Sequence, residues 1–324
     1  MLLKLDPYSP AFSLLAGVLT LKAGTKCLVN DRLISFPSGT TVQLPSLTAG
    51  TDYAIYATVN GTIVADANSS APTGYTAGTA LKIGGFHYAP GGNASAQAGG
   101  DTNPAINPYS IWDLKWRPAC ADPRGMALIA GGFWSDIYFL NTTPDVLGSS
   151  AYGATICDGA SPAKIPSAFG GDGTASYGSL TWHEASELLS AYGKRLPTQQ
   201  QFEALAFGVT EQTDRGGVDA GVTGLDAGRT SRWGIMQATG NMWIWGLDSA
   251  IDPTAGGPYA WQADTNGRGQ SYIPAPSAIK RALFGATWAL GVNAGSRSSH
   301  WSNAPSVSYY GIGARGVCDH MVLP

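Results

Sequence analysis

The first part of the chain alternates between short runs of β-branched or aromatic residues and clusters of turn residues. Residues 53–59 form one such run, residues 62–65 form another, and Asn60-Gly61 separates them. Asn-Gly between two β-rich runs is the strongest short-range signal of a β-hairpin. Similar runs recur along this part of the chain without helical periodicity. The pattern therefore predicts a β-sandwich.

Helical periodicity is found further on, at two places. Thr181 followed by Glu184 forms a capping-box pattern and predicts a helix that ends near Tyr192. Thr198 followed by Gln201 repeats the pattern and predicts a second helix that ends near residue 208. After these helices the last 45 residues return to strand-like alternation. The second part is therefore predicted to be α+β with few helices.

This change of pattern predicts two domains. Residues 1–114 form the N-terminal β-sandwich domain, and residues 115–324 form the α+β domain. Residues 90–108 are rich in Gly, Asn and Pro and are predicted to be a loop or a linker.

The apolar run at residues 11–19 has two interpretations. A signal peptide carries net positive charge before its apolar segment. Here Lys4 is offset by Asp6, and prolines interrupt the approach to the run. We therefore interpret the run as a first strand and predict no signal peptide. A signal peptide is the less favoured alternative.

Composition and charge exclude several classes of protein. Charged residues make up 13% of the chain, against about 25% in ordinary globular domains, and disordered chains need more charge and fewer aromatic residues. The formal net charge is −3, whereas nucleic-acid-binding domains usually carry an excess of positive charge. No apolar stretch reaches the ~18 residues of a membrane-spanning helix. Neither nucleic acid nor membrane insertion is predicted.

Cysteine and histidine residues give no strong metal motif. The four cysteines are Cys27, Cys120, Cys157 and Cys318. No two of them form a Cys-x-x-Cys pair, so a zinc site is disfavoured. Three disulfide pairings remain open, although buried free thiols are the favoured interpretation. The histidines are scattered, as structural histidines usually are, and no cofactor is predicted.

Three segments resemble a known domain family. Residues 193–203, 240–245 and 281–288, the last followed by Gly313-Ala314-Arg315, are similar to motifs of formylglycine-generating-enzyme-like domains. The resemblance implies a C-type-lectin-like fold. The enzymes of that family use a close pair of cysteines late in the domain, where this chain has Cys318 alone. An oxidase of this type is therefore the disfavoured alternative, and the chain is predicted not to be an enzyme.

A closer resemblance covers nearly the whole chain. Residues 83–91, 122–126 and 313–320 are similar to the phage major tropism determinant family. The resemblance implies a β-sandwich followed by a variable C-type-lectin domain, assembled as a homotrimer at the tail-fibre tip of the virion. It implies other tail-fibre proteins and a host cell-surface protein receptor as partners, and a C-terminus rewritten by a diversity-generating retroelement. The family's β-prism, which precedes the sandwich, is not expected here.

The C-terminal segment is predicted to present the receptor-binding face. Its first part, residues 287–293, alternates like a strand, with Trp288, Leu290 and Val292 inward. Arg297 and Trp301 are expected to anchor the fold. The resemblance assigns eleven outward, variable positions: Thr287, Ala289, Gly291, Asn293, His300, Ser302, Asn303, Val307, Tyr309, Gly311 and Ile312.

Two alternatives remain for this face. From the pattern alone an ordinary solvated surface is favoured, and a cellular or prophage-encoded display protein of the same fold would use the same positions for another ligand. The resemblance favours a receptor-binding face. Tyr309 is the one aromatic residue among the eleven positions and is expected to be the main anchor, because tyrosine offers a large amphipathic contact area. Binding is expected not to need calcium, because no carboxylate cluster is available there.

Overall fold

The computed structural model describes residues 1–252, 254–263, 270–275 and 278–323. The described chain is mostly β with few helices. Its first strands are β1 Leu2–Leu3, β2 Phe12–Leu15, β3 Val18–Leu21, β4 Thr25–Val29, β5 Arg32–Phe36, β6 Thr40–Thr41, β7 Thr51–Thr58, β8 Ile63–Asp66, β9 Ala80–Ala89, β10 Ala105–Ile106 and β11 Trp112–Asp113. The strands that follow are β12 Trp116–Pro118, β13 Met126–Ile129, β14 Phe133–Asp136, β15 Trp243–Ile251, β16 Ala260–Ala263, β17 Gln270–Ile273, β18 Ile279–Phe284, β19 Ser299–Asn303, β20 Ile312–Gly313 and β21 Val317–Val322.

The helices are few and short. The α-helices are α1 Pro144–Leu147, α2 Trp182–Ala191 and α3 Gln199–Leu205, and 3-10 turns span Pro108–Ser110, Ser167–Phe169, Ala227–Arg229 and Gly291–Asn293. None of the helices in the described ranges has the length and apolar character that crossing a membrane requires.

The strands form two small N-terminal sheets and one large sheet that spans both parts of the chain. The small sheets have the orders β1-β4-β5 and β2-β3-β6. The large sheet has the order β13-β14-β21-β12-β11-β9-β7-β8, with β10 paired to β9. A four-stranded sheet, β19-β18-β15-β20, carries the C-terminal segment, and β16 pairs with β17.

The large sheet crosses the predicted domain boundary. Asp113 of β11 pairs with Trp116 of β12, and β12 pairs in turn with the C-terminal strand β21. The backbone is therefore continuous as a sheet on both sides of residue 114. Separate apolar cores still lie on each side, one around Phe12, Ile55 and Phe86 and another around Phe139, Phe202 and Phe284.

Local signals placed the β7–β8 hairpin and the helices α2 and α3 correctly. Strand β7 turns through Gly61, at φ +77°, into β8. Complete capping boxes begin α2 at Thr181 and α3 at Thr198. In a capping box, two residues three positions apart each accept, through the side chain, a hydrogen bond from the backbone N–H of the other. The signal therefore does not depend on tertiary contacts. Helix α3 ends at Leu205, three residues earlier than predicted.

The prediction of a single first strand at residues 11–19 is wrong. The run folds into a hairpin of β2 and β3, with Ala16 at φ +48° and Gly17 at φ +79° in the turn. Leu15 and Val18 beside the turn are exposed, whereas Phe12 and Leu19 are buried. The alternation is therefore that of two paired strands with one buried face.

A buried polar network joins the middle of the chain to its C-terminus. Arg315 is fully buried and donates hydrogen bonds to the carbonyl oxygens of Asp136 (2.9 Å), Ile137 (2.6 Å) and Met236 (2.7 Å). The Lys194 ammonium lies 2.5 Å from Asp136 Oδ1. Buried charges need this kind of pairing, because desolvation otherwise penalises them heavily. The network fixes the chain at Arg315, directly after Ile312, the last position of the predicted receptor-binding face.

Candidate functional site

The predicted strand at residues 287–293 is absent. Strand β18 ends at Phe284, Ala286 turns the chain at φ +72°, and residues Gly291–Asn293 form a 3-10 turn. Val292, which the period-two pattern placed in the core, is 73% exposed. Trp288 and Leu290 are half-buried against the core as predicted. The period-two interpretation failed because a turn breaks the alternation after Leu290.

Two carboxylates hold this turn in place. Gly291 N donates to Asp214 Oδ2 at 2.6 Å. Glu211 accepts from Ser296, from the backbone N–H at 2.9 Å and from the hydroxyl at 2.6 Å. Both carboxylates come from a segment far earlier in the chain. The turn is therefore a supported surface element, although it has no ladder of backbone hydrogen bonds.

A β-bulge gathers three polar side chains on β19. Leu283 pairs with His300 and Arg281 pairs with Asn303, so two residues of β18 span three of β19. The extra residue changes which side chains share a face. Asn303 Nδ2 donates to His300 Nδ1 at 3.0 Å, and the Ser302 hydroxyl lies 3.3 Å from His300 Nε2. The His300 ring also lies beside Trp243, with centroids 5.6 Å apart.

The loop at residues 304–311 is docked against the start of α2. Pro305 O accepts a hydrogen bond from Trp182 N at 3.0 Å, and the Ser308 hydroxyl accepts one from Leu180 N at 3.1 Å. Tyr309 O accepts one from Gly159 N at 3.3 Å. Two of these hydrogen bonds are accepted by the backbone of the loop and one by the Ser308 side chain, and together they fix the position of the loop.

Three aromatic side chains form a continuous row on the surface. The Trp288 and Tyr310 ring centroids are 5.6 Å apart, and those of Tyr310 and Tyr309 are 6.0 Å apart. Tyr309 is 39% exposed and Tyr310 is 56% exposed. A methyl group at Gly311 would lie 2.5 Å from Tyr309 Cε2 and 3.4 Å from Thr287 Cγ2, so Gly311 lies beneath both side chains. We call Trp288, Tyr309 and Tyr310 the aromatic row.

The structure brings most of the predicted site residues to one exposed segment, but not all of them. Exposed or half-buried positions are Thr287, Ala289, Gly291, Asn293, His300, Ser302, Asn303, Val307 and Tyr309. Gly311 and Ile312 are buried, since β20 pairs with the central strand β15. The outward placement of these two residues is therefore wrong in this chain.

The two residues expected to anchor the fold, Trp301 and Arg297, differ in burial. Trp301 is half-buried and packs against the main core, as expected. Arg297 does not anchor the fold: its side chain is 86% exposed and lies 3.8 Å from Glu203. Arg315 has the anchoring role instead. Since a long cation can be placed either way by its neighbours, the sequence pattern alone could not distinguish the two arginines.

Sequence reasoning missed Tyr310 and Val292, which are large, exposed and adjacent to predicted positions. The tyrosine doublet at 309–310 was the available signal, because Tyr310 directly follows the predicted anchor Tyr309 in the same loop. Burial raises the pKa of Tyr309, and Tyr310 adds to the effect. Tyr309 is therefore a neutral phenol at physiological pH, able to donate or accept a hydrogen bond.

The remaining chemically suggestive residues have structural partners. Among the described residues, no three His, Cys, Asp or Glu side chains converge as ligands for a metal. His87 lies between Asp52 (3.0 Å) and Tyr138 (2.9 Å). His320 accepts from Trp134 Nε1 at 2.8 Å, whereas its neighbour Asp319 pairs with an arginine. All four cysteines are free and buried.

Comparison with known proteins identifies the family. Residues 13–113 match the family model described as the Mtd second domain. The chain is 48% identical over 312 residues to the tail fiber receptor-binding protein of Bordetella phage BPP-1, covering 94% of this chain and 80% of that protein. The chain belongs to the major tropism determinant family. The resemblance inferred from the sequence motifs is confirmed.

Solved structures of the major tropism determinant family have the same overall fold. The I1 variant superposes with a TM-score of 0.94 at 47% identity, covering 99% of this chain and 86% of that one. The M1 variant gives a TM-score of 0.94 at 47% identity, covering 100% and 86%. The mostly β architecture with few helices is therefore that of the family.

Proposed function

We propose that this chain is a receptor-binding protein of a phage tail fibre and determines which host surface the phage engages. The proposal rests on the 48% identity to a tail fiber receptor-binding protein over nearly the whole chain. The chain would be made in the host cytoplasm without a signal peptide and act at the tail-fibre tip, together with other tail-fibre proteins. It would act by binding and not as an enzyme.

The proposed architecture is an N-terminal β-sandwich, residues 1–114, followed by a C-type-lectin-like variable domain, residues 115–324. Separate apolar cores on the two sides support the division. The capped helices α2 and α3 and the central sheet around β15 would form the lectin-like part. The sheet that crosses residue 114 would hold the two domains in a fixed orientation.

The binding face would consist of the exposed variable positions around the aromatic row. Its backbone is held by Asp214, Glu211 and the start of α2, so side chains can change while the loops keep their shape. This is the property that retroelement diversification of the C-terminus requires. Gly311 and Ile312 would contribute to the face through their backbone and packing only.

The ligand would be a host cell-surface protein. Tyrosine provides a large amphipathic contact area at low conformational-entropy cost, and Tyr309 lies at the end of the aromatic row. Aromatic residues dominate the energetics of protein interfaces. A homotrimer would present three such faces, and avidity would then make weak single contacts effective.

Binding to isolated host envelopes tests the proposal. Tyr309→Ala should weaken binding by about 2 kcal/mol, or roughly 30-fold, if Tyr309 is a hot spot. Tyr8→Ala is the matched control, because Tyr8 is exposed but lies at the opposite end of the chain. Chelator should leave binding unchanged. Binding that chelator abolishes, with both variants equal to wild type, would contradict the metal-free aromatic face.

The assembly is tested separately. Light scattering of the purified chain at micromolar concentration should give three times the mass of one chain. A single-chain mass under these conditions would contradict the homotrimer and the avidity argument, but would leave the family assignment untouched.

A further inference from the structure

Two cysteines that are distant in sequence meet across a pair of strands. Strands β12 and β21 are antiparallel, with the partners Trp116 and Val322, Arg117 and Met321, and Pro118 and His320. Ala119 N donates to Asp319 O at 2.9 Å, which continues the same register one residue beyond β12. Extending that register by one more residue places Cys120 opposite Cys318.

The register also determines whether Cys120 and Cys318 occupy a hydrogen-bonded or a non-hydrogen-bonded position. Leu323 N donates to Lys115 O and Ala119 N donates to Asp319 O. The hydrogen-bonded pairs therefore alternate, and Cys120 and Cys318 occupy a non-hydrogen-bonded position. At such positions the Cα atoms lie about 4.5 Å apart with both side chains on one face. That separation is within the range of roughly 4.4–6.8 Å that disulfides span.

The side chains share one small apolar cluster. Cys120 is 2% exposed and Cys318 is 1% exposed, and both pack with Trp112, Met126 and Trp134. The Cys120 thiol donates to Asp122 O at 3.2 Å. Interaction between the two neighbouring thiols raises the pKa of Cys120 and lowers that of Cys318. The Lys194 ammonium further lowers the pKa of Cys318. Cys318 is therefore the thiol that ionises first and the better nucleophile of the two.

We propose that Cys120 and Cys318 are a redox pair that closes into a disulfide under oxidising conditions. The oxidant is a low-molecular-weight disulfide such as oxidised glutathione. The Cys318 thiolate attacks one of its sulfurs and expels a thiolate, which takes up the proton from Cys318. Cys120 then loses its proton and attacks Cys318 Sγ, releasing the second thiol. Two protons and two electrons pass from the protein to the oxidant, which becomes two thiols.

The other cysteines are not placed for this reaction. Cys27 packs in the N-terminal core beside Leu2 and Ile34, whereas Cys157 packs in the core that contains Trp245. The flanking residues Ala119 and Ala121 are exposed, so opening of one short loop would bring the oxidant to the pair. This inference goes beyond the proposed function and does not depend on it.

The bond would lock the C-terminal strand to the middle of the chain. It would close a loop of about 200 residues, and cross-linking long loops restricts the unfolded chain most. The candidate face lies inside that loop. Because disulfides persist in oxidising surroundings, the chain would be a dithiol in a reducing compartment and become more stable in an oxidising one.

Thiol counting on the full-length protein tests the proposal. Fully reduced wild type should show four thiols in denaturant. After exposure of the native protein to oxidised glutathione, two should be lost, together with the mass of two hydrogen atoms. A non-reducing digest should contain one cross-linked peptide pair, joining Cys120 to Cys318. The melting temperature should rise by about 5 °C and return when the bond is reduced.

Matched variants separate the pair from the other cysteines. Cys120→Ala and Cys318→Ala should lose no thiols to an internal bond, whereas Cys27→Ala and Cys157→Ala should still lose two. If any variant fails to fold, the digest of wild type decides the question by itself. An unchanged thiol count, glutathione adducts without a bridge, or a bridge between other cysteines would overturn the proposal.

Discussion

Two neighbouring segments near the C-terminus differ sharply in burial. No residue from 297 to 310 is buried, whereas every residue from 311 to 318 is. The backbone of the first segment accepts hydrogen bonds from Trp182 and Gly159, and its Ser308 hydroxyl accepts one from Leu180. The second is held by the strand pairing of β20 and β21 and by the buried side chain of Arg315. Exposed side chains can change without loss of packing, whereas buried side chains such as Arg315 cannot.

The largest expected effect is at Arg315. Arg315→Met keeps a long unbranched side chain but removes three hydrogen bonds from a charged donor. Met236 O is left without a donor, whereas Asp136 O and Ile137 O keep Ser135 Oγ and Met236 N. Each hydrogen bond lost from a charged group costs about 1.5–3 kcal/mol in the free energy of unfolding. We expect a total loss of at least ~3 kcal/mol, measured by chemical denaturation. Arg297→Met is the control and should change stability by no more than ~0.5 kcal/mol, because that side chain is 86% exposed. Equal losses would show that the comparison between the segments is wrong.

The next effect separates two residues of the predicted face. Ile312 is fully buried, so Ile312→Ala should lower the free energy of unfolding by about 3 kcal/mol through the cavity it leaves. Ser302→Ala, on the exposed segment, should change it by no more than ~0.5 kcal/mol. Thermal melting of both variants measures the difference. A destabilised Ser302→Ala would show that the segment depends on its side chains after all.

The smallest effect is a dependence of stability on pH. Burial lowers the pKa of His320, and its Nδ1 accepts the Trp134 N–H, so protonation breaks that bond. The unfolded chain therefore binds more protons just below pH ~6.5, and stability is lost as the pH falls through the pKa of the folded state. His320→Gln should reduce the fall in melting temperature between pH 7.5 and pH 5.

His300→Gln, on the exposed segment, is the control for this measurement and should keep the wild-type fall. An identical pH profile for wild type and His320→Gln would assign the acid sensitivity to other groups.

The sequence determined the features that depend on few neighbouring residues. The capping boxes at Thr181 and Thr198 and the turn at Asn60-Gly61 were predicted correctly, because each is satisfied within four residues. The family motifs were also sufficient to predict the relatives and the exposed segment. In these places the local preferences agree with the global fold.

Only the tertiary structure decided which side chains meet. The bulge in β19 brings His300 and Asn303 together, and the turn at Ala286 exposes Val292, although period two predicted otherwise. Cys120 and Cys318 become neighbours only through the register of two strands that lie far apart in sequence. Bulges, turns and strand registers are determined by packing against distant residues, so no local pattern of hydrophobic and polar positions specifies them.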